Sequence, residues 1–130
     1  MSGYNTWELT GVLVREEYKM DWHALAEAPG FEQTEHEGVE AKFFGQGSGK
    51  GPFAYLLRFP PGAHLGPRRH GSNLMRFVLE GDVESEGQTV TAGWYEYVPA
   101  GCPVPLERGG GSGCRMLEIF DGPPTLEAGR

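Results

Sequence analysis

From residue 50 onward the chain repeatedly builds a short run of aromatic and aliphatic residues and then breaks it with glycine or proline. FAYLLRF, Phe53 to Phe59, stops at Pro60-Pro61-Gly62, where two successive residues lack the amide donor that a sheet ladder needs. LMRFVL, Leu74 to Leu79, runs into Glu80-Gly81-Asp82, read as a hairpin turn. Thr89-Val90 leads to a turn at Ala92-Gly93, and WYEYV, Trp94 to Val98, ends at Pro99. RMLEIF, Arg115 to Phe120, follows the glycine-rich stretch GGGSG at 109 to 113, which reads as a loop. Short strands with turns at this spacing argue for an antiparallel sandwich or barrel.

The first fifty residues are less regular. Tyr4 to Val14 suits an edge or swapped strand, Trp22 to Ala28 one or two helical turns ended by Pro29-Gly30, and Val39 to Phe44 another strand. A chain of 130 residues removes roughly two-thirds of its unfolded surface from water as one domain. The expected division is N-terminal strands and a short helix over 1–38, the main β unit over 39–120, and a fraying tail over 121–130. The formal charge of −7 repels phosphate backbones and anionic lipid, so neither nucleic acid nor a membrane is expected as a partner. Cys102 and Cys114 have no CxxC spacing and read as reduced thiols. MSGYNTWELTG lacks the basic start and apolar run of a secretory signal, and the expected location is the cytoplasm.

Candidate chemistry begins at PRRH, residues 67 to 70, because a histidine at a strand mouth suits metal ligation or proton transfer. PPGA, RRH, FVLEG and TAGWYEYVPAG together resemble a cupin of the small acetylacetone-cleaving dioxygenase and ChrR-like type. The resemblance covers about Val39 to Phe120, with WHAL…PGF fitting more loosely. It implies an all-β double-stranded β-helix, a jelly-roll barrel with a short helical turn near the N-terminus. In the cupin pattern a glycine is followed after five residues by HxH, then a glutamate four residues on and a closing glycine. Gly62, His70 and Gly81 fit, but Arg68 stands at the first histidine and Leu74 at the glutamate. The second pattern fits at Gly93, Pro99 and Gly101, with Val104 at its histidine. Leucine and valine donate nothing to a metal, and arginine cannot deprotonate to coordinate one. No metal or other cofactor is therefore expected, and His64, a conceivable replacement ligand, is expected outside the barrel.

If LMRFVL lies as the resemblance implies, alternation turns Leu74, Arg76 and Val78 toward the cavity and Met75, Phe77 and Leu79 away. His70, Arg76 and Arg68 are then the candidate catalytic residues, the histidine moving a proton and the arginines answering charge on oxygen. Tyr97, Glu96, Tyr55, Leu74 and Val104 are candidate ligand contacts, and Trp94, Tyr95 and Tyr97 are expected to send rings into a core or cavity. Plainer roles compete: Arg76 paired with Glu96 across strands, Arg68 solvated at a rim, His70 satisfied by a backbone carbonyl, Cys102 a small buried filler. Three functions stay open. One is a metal-independent enzyme acting on a small carbonyl, enol or acid compound by isomerisation, dehydration or cyclisation. The others are a noncatalytic small-molecule binder and a dioxygenase with atypical ligands. A homodimer through exposed strands is expected.

Overall fold

The computed structural model describes residues 16–44 and 52–125. The strand expected over Tyr4 to Val14 lies outside them. The described residues form 3-10 turns at Glu17–Lys19 and Leu25–Glu27 and eleven strands. These are β1 (His23–Ala24), β2 (His36–Glu37), β3 (Glu40–Phe44), β4 (Phe53–Phe59), β5 (His64–Leu65), β6 (Arg68–Arg69), β7 (Leu74–Ser85), β8 (Gln88–Thr91), β9 (Tyr95–Val98), β10 (Pro103–Val104) and β11 (Glu107–Phe120). No helix among the described residues is long and apolar enough to cross a membrane.

Nine strands share one sheet, with the path β1-β3-β4-β11-β5-β2 and β7 pairing β11, β8 and β9; β6 and β10 form a separate pair. The expected closed jelly-roll barrel is corrected here: among the described residues no sheet closes, because β1 and β2 end the path without pairing each other. Prolines bound the short strands, Pro67 separating β5 from β6 and Pro99 following β9, while Pro103 opens β10 opposite Arg69. The mass of the molecule is the antiparallel set β3, β4, β11, β7 and β9, whose inner face supplies Tyr55, Leu57, Leu74, Met116 and Phe120 to the core. Leu25 and Phe31, from the segment after β1, close over that face and are fully buried.

Two expected turns are absent. Leu74 does not lead to a hairpin at Glu80–Asp82; β7 continues through Gly81, and the chain reverses at Glu86-Gly87, where both residues have positive φ. Gly81, at φ +71, instead sits at an irregularity where its backbone crosses β11 so closely that a Cβ would lie 1.9 Å from the Gly113 carbonyl oxygen. The GGGSG stretch is likewise inside β11, with a register shift between Gly109 and Cys114. A bulge uses the same permissive backbone as a turn. The tail is anchored over its described part: Gly71 N–H donates to the Thr125 carbonyl at 2.7 Å, and Pro124 is buried.

Candidate functional site

Arg68, His70 and Arg76 are 4%, 3% and 4% exposed, which requires every charge among them to be answered inside the protein. Strand alternation places Arg76 on the buried side of β7 with Leu74 and Val78. The same alternation on β11 turns Glu118 inward between Met116 and Phe120, directly opposite Arg76 in register. Glu107, at the start of β11, completes the group. It accepts from Arg68 Nη2 at 2.9 Å through Oε1 and from Arg76 Nη2 through Oε2. Arg76 also donates to Glu96 Oε1 at 3.0 Å, and its Nε lies 3.1 Å from Glu118 Oε2. Arg68 Nη2 is 3.6 Å from that same oxygen.

The two carboxylates behave oppositely. Burial works against the charged form of Glu107, but Arg76 and Arg68 outweigh it and hold its carboxyl below the usual range. For Glu118 burial wins over the two arginines, with Glu107 and Glu96 adding like charge, and its carboxyl is raised. Neither of its oxygens receives a well-directed hydrogen bond from the described residues, although Oε2 lies close to both guanidinium groups.

His70 is held by contacts from three segments. Its ring packs at 5.1 Å from Phe31 and 4.9 Å from Phe120, and Nδ1 donates to the Pro124 carbonyl at 3.2 Å. Burial, then the Arg68 charge, pushes its pKa down to about 4 against the help of the Pro124 carbonyl. The imidazole is thus neutral near pH 7, and Nε2 is a buried acceptor with no partner among the described residues.

The remaining candidates divide. Glu96 joins the cluster and carries it toward solvent, its side chain being 44% exposed. Leu74 and Val104 are buried, Val104 opposite Arg68 in the β6–β10 pair. Tyr55 is buried, but its hydroxyl donates to the Pro29 carbonyl at 2.9 Å, and burial raises its pKa. Tyr97 is not at the cluster. Glu96 takes the side of β9 that faces Arg76, so Tyr95 and Tyr97 take the other and stay about half exposed opposite Phe77 and Met75. Trp94, 42% exposed, likewise fills no core, and Cys102 is exposed rather than a buried filler. His64 pairs with Glu35. An open groove of about 520 Å³ between Pro67, Glu84, Leu106 and Arg108 includes none of the candidate residues.

Sequence reasoning missed Glu107, Glu118, Phe31 and Pro124. Glu118 left a trace: in RMLEIF it shares the parity of Met116 and Phe120, an acid on an otherwise apolar face.

The cupin pattern implies a metal held at four positions. The residues standing there do not fit one: Leu74 and Val104 are apolar, and the Arg68 guanidinium is committed to Glu107. Among the described residues no group of three or more His, Cys, Asp or Glu is arranged to hold a metal ion.

The family model for the ChrR cupin-like domain matches residues 13–103. A candidate acetylacetone dioxygenase from Methylibium petroleiphilum PM1 superposes with a TM-score of 0.69 at 17% identity, over 90% of this chain and 81% of that one. The polyketide cyclase RemF from Streptomyces resistomycificus gives 0.70 at 16% identity, over 89% and 84%. The anti-sigma ChrR from Rhodobacter sphaeroides, solved with SigE, gives 0.62 at 20% identity, over 92% of this chain and 58% of that one. Such identities speak for the fold alone. No curated protein matches the chain.

Proposed function

Since the chain belongs to the ChrR cupin-like domain family, we propose that it is a metal-independent enzyme acting on a small carbonyl, enol or acid compound by proton-transfer chemistry such as isomerisation, dehydration or cyclisation. The observation that carries this reading is the unpartnered Nε2 of His70, buried beside two buried arginines. A neutral imidazole whose other nitrogen is fixed by a carbonyl presents a lone pair of defined direction, the geometry of a general base, while its pKa of about 4 makes it a weak one near pH 7. Arg68 and Arg76, though paired with Glu107 and Glu96, set guanidinium groups beside the same region, where they orient a substrate oxygen. The names of the similar structures support a carbonyl-bearing substrate, since acetylacetone is a diketone.

The test is turnover of a panel of small ketones, enols and hydroxy acids by wild type and His70→Ala, before and after exhaustive chelation. Activity that survives chelation and falls by roughly 10²-fold or more in the variant is the expected result. Binding that persists in His70→Ala with no turnover by either protein identifies a noncatalytic binder instead. We also propose a homodimer formed through the outer face of β7 and β9, where Leu79, Tyr95 and Tyr97 are about half exposed on neighbouring strands.

A further inference from the structure

The buried cluster holds two cations and three acids, and its hydrogen bonds are shared unequally. Glu107 receives directed bonds from both arginines and Glu96 receives one from Arg76, while Glu118, wholly buried, receives none on either oxygen from the described residues, Arg76 Nε and Arg68 Nη2 lying 3.1 and 3.6 Å from Oε2 without the alignment of a hydrogen bond. With Glu107 and Glu96 ionised, the charges of Arg68 and Arg76 are already balanced. A third negative charge would leave the buried cluster one cation short, with Arg76 and Arg68 already shared with Glu107 and Glu96 and no well-directed hydrogen bond to the added carboxylate. The groups that face Glu118 are Arg76 from β7, Arg68 from β6, Glu107 from its own strand, Glu96 from β9 and Tyr55 from β4. Two of these five are acids, and the Tyr55 hydroxyl is turned to Pro29.

We infer that Glu118 is a neutral carboxylic acid at neutral pH, and that its O–H is the hydrogen-bond donor the site offers to the carbonyl oxygen of an uncharged substrate. A carboxyl kept protonated polarises a carbonyl without carrying net charge, and strengthens its bond as negative charge grows on that oxygen. The substrate class follows from the balance of the cluster. A neutral ketone or enol adds no charge, whereas a carboxylate finds no uncompensated arginine. This deepens the reading of the site as a carbonyl-directed enzyme and rests on it for the substrate.

The proton is tested without any substrate, by infrared absorption of the carboxylic C=O stretch at neutral pH in wild type, Glu118→Gln and Glu107→Gln. A protonated-carboxyl band present in wild type and lost in Glu118→Gln is the expected result, with Glu118→Gln melting near wild type because the change is isosteric and uncharged. A wild type without the band, a band that survives in Glu118→Gln, or a Glu118→Gln protein that fails to fold each overturns the proposal. The substrate class is tested by thermal shift with cyclohexanone against cyclohexanecarboxylate, matched in shape. Greater stabilisation by the ketone supports it, and greater stabilisation by the carboxylate overturns it. Stabilisation by neither counts against the carbonyl-directed reading of the site, while the infrared band still decides the proton on Glu118.

Discussion

Burying His70 against Phe31 and Phe120 ties folding to pH through one imidazole. Its pKa falls from 6.5 to about 4 on folding, so between those values the unfolded chain binds a proton that the folded one refuses. Stability from this residue is therefore fully present above about pH 6.5 and is lost as pH falls toward 4, by about 3 kcal/mol in all. Denaturant titrations across that window should show a shallower loss in His70→Gln than in wild type; equal slopes would assign the pH dependence to other groups. Arg76→Met should cost about 3–5 kcal/mol in the same assay, because Glu107 and Glu96 lose a partner while remaining charged. At this scale the sequence was partly legible. His70, Arg68, Arg76 and Glu96 were visible as unusual residues beside a strand, but Glu107 and Glu118 were not, since Glu107 lies 31 residues from Arg76 and only the sheet brings it there.

Among the elements, the long strands β7 and β11 and the tail decide how the site is held. Gly30, at φ +92, lets the Pro124 carbonyl approach to where a Cβ would stand 1.9 Å from its oxygen, and that carbonyl accepts the hydrogen bond from His70 Nδ1–H. Wild type should show a slowly exchanging imidazole N–H resonance for His70, and Gly30→Ala should destabilise by more than about 1 kcal/mol and erase it, read by melting curves and NMR. An alanine variant that keeps that resonance would separate the tail from the site. Strand β4 was legible to the residue because Pro52 and Pro60 bracket an uninterrupted run. Gly81 was misread because a turn and a bulge demand the same positive φ. The choice between them was made by Gly113 on β11, 32 positions away in the chain, against which Gly81 packs.

For the molecule as a whole, the outer face of β7 and β9 carries Met75, Phe77 and Leu79 beside Tyr95 and Tyr97, apolar surface that a second copy would cover. Analytical ultracentrifugation should give a dimer mass for wild type and a monomer for the double variant Tyr95→Ser, Tyr97→Ser; a wild-type monomer removes the homodimer. The aromatic rings of β9 also mark the limit of sequence reading, because alternation sets two faces without saying which is inside. Here the Arg76–Glu96 pairing chose, and the tyrosines were left outside. By itself the sequence determined the mostly-strand class, the places where prolines stop the ladders, and the residue types that do not fit a metal, since these are local properties of side chain and backbone. Only the tertiary structure decided that the sheet stays open and that a turn became a bulge. It alone gathered two arginines and three acids from four strands into one buried cluster, because burial, register and charge balance depend on what the far ends of the chain bring to the same place.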